Sequence, residues 1–199
     1  MAKTLDMHTE QAEILARIVR AEEKVQIRLV RVSRLLALAQ IPYAIVGGHA
    51  VAAWVATKDE SLVRATGDVD VLVRAEDLER IREVLEPAGF VYRHFAEMDI
   101  FLDDRDAKVG DAVHLIFSGR KVRPDHVLPA PDVDDSGIGK EFSVIPLESL
   151  VRTKLVAWRD KDRVHLRDLI GVGLIDPSWP QRFQEPLRSR LQELIDNPE

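Results

Sequence analysis

Residues 66–73 read TGDVDVLV, two aspartates one residue apart at the head of an apolar run. In a strand, residues i and i+2 point to the same face, about 6.5–7 Å apart along the chain. Asp68 and Asp70 therefore project together, while Val69 and Val71 turn the other way. Two carboxylates so placed repel one another unless water or a cation separates them, and hard divalent ions such as Mg2+ take oxygen ligands of this kind. The pair alone also fits a charged strand edge, so its surroundings have to decide.

Upstream, YAIV (43–46) is a short apolar strand running into Gly47-Gly48, after which HAVAAWVA has helical character. A glycine pair at a strand-to-helix turn lets backbone N–H groups approach an anion, and it equally serves a tight turn with nothing bound. Downstream, a helix is expected from about Glu76 to Glu86, closed by Pro87 and Gly89. FVYRHF, MDIFLDD, AVHLIF and FSVIP read as further strands, and residues 118–140 as an irregular loop rich in Pro, Asp and Gly. Residues 10–39 contain no Gly or Pro. Ile14, Ile18, Ala21, Val25, Leu29, Val32, Leu36 and Ala39 make an apolar stripe there, suited to the protein's own core or to a dimer or partner contact. From Leu147 onward the pattern is helical, interrupted at Gly171–Asp176 and at three prolines. The expected fold class is α+β. A long amino-terminal helix (1–40) precedes a small mixed sheet flanked by helices (41–146), and a helical carboxy-terminal region (147–199) completes the site.

Composition narrows the function. The 199 residues are 46% hydrophobic and 31% charged, ordinary for a globular protein. A net charge of −6 disfavours sequence-blind coating of nucleic acid. With no cysteine, thiol catalysis, disulfides and thiolate-bound zinc are excluded. No run approaches eighteen apolar residues and MAKTLDMHTEQ has no apolar signal core, so neither membrane insertion nor export is expected, and the expected address is cytoplasmic.

IVGGHAVAAW followed by RATGDVDVLV resembles the nucleotidyltransferase superfamily of the DNA polymerase β type, in particular its minimal bacterial members and the type IV toxin–antitoxin branch. The resemblance covers about residues 41–117. It implies a nucleotidyltransferase-like core, Mg2+ (or Mn2+) held by Asp68 and Asp70, and a nucleoside triphosphate whose phosphates lie at Gly47 and Gly48. The activity implied is transfer of a nucleoside monophosphate to a hydroxyl of an RNA end, a protein or a small molecule. Arg64 and Thr66 would steady the approach to the metal strand. LESLVRTKLVAWRDKDRVHLRDL resembles the toxin-like branch in carrying a lysine on one helix and an Arg-Asp pair on a later one, here Lys154, Arg167 and Asp168. Lys154 also falls mid-stripe among Leu147, Leu150, Val151 and Trp158, where a lysine either snorkels outward or meets an anion. That anion is a phosphate, a site carboxylate, or Asp168 or a neighbour in a structural ion pair.

The superfamily pattern departs at one place. Its third carboxylate belongs on a later central strand, and the matching strand, AVHLIF, carries His114. Asp111 is near but of opposite strand parity, and Asp99 and Asp103 lie on a neighbouring strand. Three outcomes follow: altered metal use, a base supplied by His114 or Asp168, or nucleotide binding without turnover. A buried, hydrogen-bonded histidine with no catalytic role is the plain alternative. His49 adjoins the glycine pair, and Arg152, Arg159, Lys161, Arg163 and Arg167 form either a phosphate-binding face or a solvated helix surface. GRKVRPD (119–125) suits a lid. A phosphatase with an aspartyl nucleophile fits poorly, because the apolar run follows the aspartates instead of leading into them.

Overall fold

The computed structural model describes residues 2–95, 97–105, 107, 112–133 and 142–198, with residues 2–10 described by backbone alone. Asp111 and residues 134–140 of the expected loop lie outside the described residues. Helix α1 spans Ala2–Leu38. It stops where Gln40 turns left-handed (φ 54) and the Ile41 N–H bonds back to the Leu36 carbonyl, so the helix ends before Pro42 is reached. Strand β1 (Tyr43–Val46) passes directly into α2 (Gly47–Ala56), then come β2 (Val69–Val73), α3 (Leu78–Leu85), β3 (Val91–Phe95), β4 (Met98–Leu102) and β5 (Ala112–Phe117). Helices α4 (Leu147–Ala157), α5 (Asp160–Gly171) and α6 (Leu187–Asp196) close the chain.

The five strands form one mixed sheet in the order β1-β2-β5-β4-β3, and β2 with β5 is its parallel pair. FSVIP does not add a full strand. Val144 forms an isolated bridge to Ile45, and pairing ends because Pro146 has no N–H to donate and caps α4.

Strand alternation sorts the core into two layers. Val69, Val71, Val73, Val113, Leu115 and Phe101 pack with Val32, Leu36, Ile81 and Leu85 beneath α1 and α3. Ala44, Leu72, Val51, Leu150, Leu166 and Leu191 pack on the other face, beneath α2, α4, α5 and α6. Burying a leucine of this kind contributes roughly 2 kcal/mol. The α1 stripe divides between two environments: Val25, Leu29, Val32 and Leu36 are buried, whereas Ile14 and Ile18 are exposed. No helix of the described residues is long and apolar enough to cross a membrane.

Candidate active site

Asp70 sits on β2 opposite Val46 of β1 and His114 of β5. It therefore stands where β1 turns into α2, on the sheet face covered by the later helices. Asp68 precedes the strand with the same parity. The two glycines shape this corner. Gly47 has φ +69, and a Cβ there would overlap the Asp70 carboxylate and lie 2.9 Å from its Cγ. A Cβ at Gly48 would overlap Thr66 Oγ1 and lie 2.9 Å from the Thr66 Cβ. Each missing side chain is thus replaced by one from β2 or the segment leading into it, which is how Thr66 comes to lie against Gly48. The glycines make room for protein groups in addition to freeing the backbone.

His114 Nδ1 lies 3.4 Å from Asp70 Oδ1. Burial opposes ionisation of Asp70, but the hydrogen bond and charge of His114, with the charges of Lys154 and Lys161, hold its carboxyl below the usual carboxylate range. His49, on the first turn of α2, is buried, and its Nε2 has no hydrogen-bond partner among the described residues. Burial pushes its imidazole down, against the upward pull of Asp70 and then Asp68. The other acids near β5 are committed elsewhere. Asp99 pairs with Leu115, not His114, so it faces the opposite layer, where it accepts from Tyr92 and meets His94 Nδ1 at 3.0 Å. Asp103 is bound by Arg28 at 2.6 Å.

Lys154 is buried (5% exposed), on the inward face that its helical position implies. Its Nζ donates to Asp162 Oδ1 at 3.1 Å, and Asp162 is fully buried (0%) and also accepts from Arg159 Nε at 2.7 Å. Asp168 is instead engaged on both oxygens by Arg64, at 2.8 and 3.0 Å, across 104 residues. Arg64 and Asp168 therefore hold each other, tying the connection before β2 to α5. Of the charge run, Arg163 donates to Asp160, Arg167 reaches the Asn197 carbonyl, and Lys161 approaches Asp68 Oδ2 at 3.8 Å. GRKVRPD lies in a loop whose neck is closed by two backbone bonds between Gly119 or Arg120 and Ala130.

Behind the glycine pair, a cavity of about 10 Å3 is lined by Gly48, Val51, Leu62, Thr66, His165 and Asp168. It has room for about one water and none for a nucleobase. A broader depression of about 770 Å3 on α6, between Glu185, Arg188 and Gln192, contains none of the residues above. His165 Nδ1 is buried without a partner among the described residues. Burial first, then Lys154, pushes this histidine down to about 4, against the pull of Asp162 and Asp168. In the unfolded chain it titrates near 6.5. A folded value below the unfolded one gives stability that is fully present above pH 6.5 and lost as pH falls toward 4. Urea unfolding should therefore weaken across that window, by about 1–2 kcal/mol because the half-buried ring is partly screened by solvent. His165→Gln should remove the largest histidine share of this slope, leaving the parts that His49 and His126 contribute, since burial pushes both of those imidazoles down as well.

Asp68 (44% exposed) and Asp70 (25%) present hard oxygen donors, and Asp70 is held ionised, so the pair suits a divalent cation of the Mg2+ or Mn2+ type. Among the described residues, no group of three or more His, Asp or Glu side chains is placed to hold a metal ion. Further ligands would have to come from water or substrate.

No family model matches the sequence, and no curated protein matches it. The structure is similar to that of an antigenic nucleotidyltransferase-like protein from Paracoccidioides brasiliensis. The two are 17% identical, the match covers 88% of this chain and 89% of that one, and the TM-score is 0.54. A second similar structure, ANT(2'')-Ia in complex with adenylyl-2''-tobramycin, is 15% identical, with 87% of this chain and 98% of that one covered and a TM-score of 0.48. The chain has the mixed α+β fold of the nucleotidyltransferase-like proteins.

Proposed function

We propose that the protein is a metal-dependent nucleotidyltransferase, moving a nucleoside monophosphate from a nucleoside triphosphate to a hydroxyl on an RNA end, a protein or a small molecule. The observation that carries this reading is the accessible Asp68–Asp70 pair, set on one sheet face against the turn where Gly47 lacks a Cβ. A bound Mg2+ or Mn2+ would neutralise triphosphate charge and favour in-line attack at the α-phosphorus. Asp68 and Asp70 would hold it. The acceptor oxygen would bond to the α-phosphorus as the bond to pyrophosphate breaks and the hydroxyl proton passes to water, while His114 acts by holding Asp70 ionised.

Gly47 and Gly48, opening α2, offer backbone N–H groups toward phosphate. Arg64 and Asp168 act by positioning, since each uses its charge on the other. Thr66, seated against Gly48, fixes the lead into β2. Lys154 acts through Asp162 and through its charge on Asp70, which helps keep that carboxylate ionised. A cytoplasmic setting and a toxin–antitoxin role are part of the same reading.

A second reading is favoured by His114, which sits in register with Asp70 where a third carboxylate is expected. It describes a protein that binds nucleotide or a partner without turnover. Incubation with ATP, CTP, GTP or UTP and Mg2+ or Mn2+, with RNA, protein and small-molecule acceptors, distinguishes the two. Pyrophosphate release is expected. Binding with no release for any combination would overturn the enzyme in favour of the second reading.

A further inference from the structure

We infer that Lys161 is the cation that meets the triphosphate, and that it does so by surrendering Asp68 to the divalent metal. This rests on the metal-dependent reading above and assigns a role that Lys154 is too enclosed to fill.

The case begins with where each basic group is spent. Lys154 is buried and bonded to Asp162. Arg159 is bonded to the same carboxylate through Nε and Nη2. Arg64 is bidentate on Asp168. Arg163 donates to Asp160 and lies 5.6 Å over the Trp158 ring. Lys161 differs from all of these. Its side chain is 54% exposed, and its ion pair with Asp68 spans 3.8 Å, longer than a hydrogen bond. Such a contact holds its partners weakly, and a lysine's flexible stem with a compact ammonium can exchange one anion for another at little cost.

The second point is competition. Asp68 is the more exposed member of the pair, so it is the carboxylate an arriving cation reaches with least desolvation. Lys161 and a divalent ion then seek the same oxygens. Were a metal–triphosphate to take Asp68, the displaced ammonium would stand in the first turn of α5, beside the anionic phosphates. One lysine thereby opposes binding of bare metal and favours binding of polyphosphate. Those two effects have opposite signs.

Lys161→Met, which keeps the apolar stem, tests this by titration with Mn2+ alone and with inorganic tripolyphosphate at saturating Mg2+. Mn2+ is expected to bind about three-fold tighter, because a weak competing ion pair is gone. Tripolyphosphate is expected to bind about ten-fold weaker, because a charge-assisted contact is gone. Arg163→Met, on the same helix, controls for loss of one positive charge and should move neither constant comparably. If Lys161→Met leaves Mn2+ affinity unchanged or weakens it, or shifts both constants no more than Arg163→Met does, the inference is overturned while the proposed function stands. If the wild-type protein binds neither probe, both fall.

Discussion

Asp70→Asn is expected to cut metal-dependent nucleotide affinity or pyrophosphate release by at least about 100-fold, the usual cost of losing a charged group that anchors a catalytic ion. The substitution keeps the shape that fills the space beside Gly47, so the fold should persist. It removes the ionised oxygens that His114, Lys154 and Lys161 stabilise. Calorimetric titration with a metal–triphosphate complex, paired with a far-ultraviolet dichroism melt, separates chemistry from folding. Unchanged nucleotide and metal affinity with a shifted melting temperature would make Asp70 a structural residue and sink the proposed function.

The second large effect is on stability. Asp162→Ala leaves the ammonium of Lys154 buried without its anion and strips Arg159 of its partner. Breaking a buried pair from one side costs about 3–5 kcal/mol, because the surviving charge is uncompensated. Replacing both members, Lys154→Met with Asp162→Leu, should come much nearer to neutral in urea unfolding. A single variant as stable as the double one would show that Lys154 has another partner. The pH dependence has a definite sign. Burial raises the Asp162 carboxyl, but Arg159 and Lys154 more than offset that and hold it below its ordinary value. The pair's contribution is therefore present above about pH 3.9 and lost as pH falls through the lower folded value. That window lies beneath the one set by His165, so the two can be read separately.

Much of this architecture was legible because local rules are strong where it matters. Short apolar runs between turn residues marked the five strands, and period-two alternation put Asp68 and Asp70 on one face. Apolar spacing put Lys154 inside. The partner of Lys154 was not legible. In an unbroken helix, residues eight apart lie about 12 Å along the axis, too far for Lys154 and Asp162 to meet. They meet because Trp158 adopts φ 51 and separates α4 from α5, and no Gly or Pro marks that break. Arg64 and Asp168, 104 residues apart, carry no local signal of each other at all. Asp99 shows the converse: its closeness in sequence to the central strands suggested a role, yet register with Leu115 turns it to the far layer. FSVIP had strand composition, and Pro146 limited its pairing to one bridge.

The interlock of Gly47 with Asp70 has a consequence for how this corner can evolve. The carboxylate occupies the volume that any side chain at position 47 would need, and the left-handed backbone there already penalises every residue but glycine. Position 47 is therefore hostage to position 70. A descendant chain that abandons the aspartate for something smaller is released from one of the two constraints, whereas one that keeps it must keep the glycine as well. Among homologues, the two positions should be gained and lost together, and a bulky residue at 47 beside an intact aspartate at 70 should be a combination that lineages do not retain.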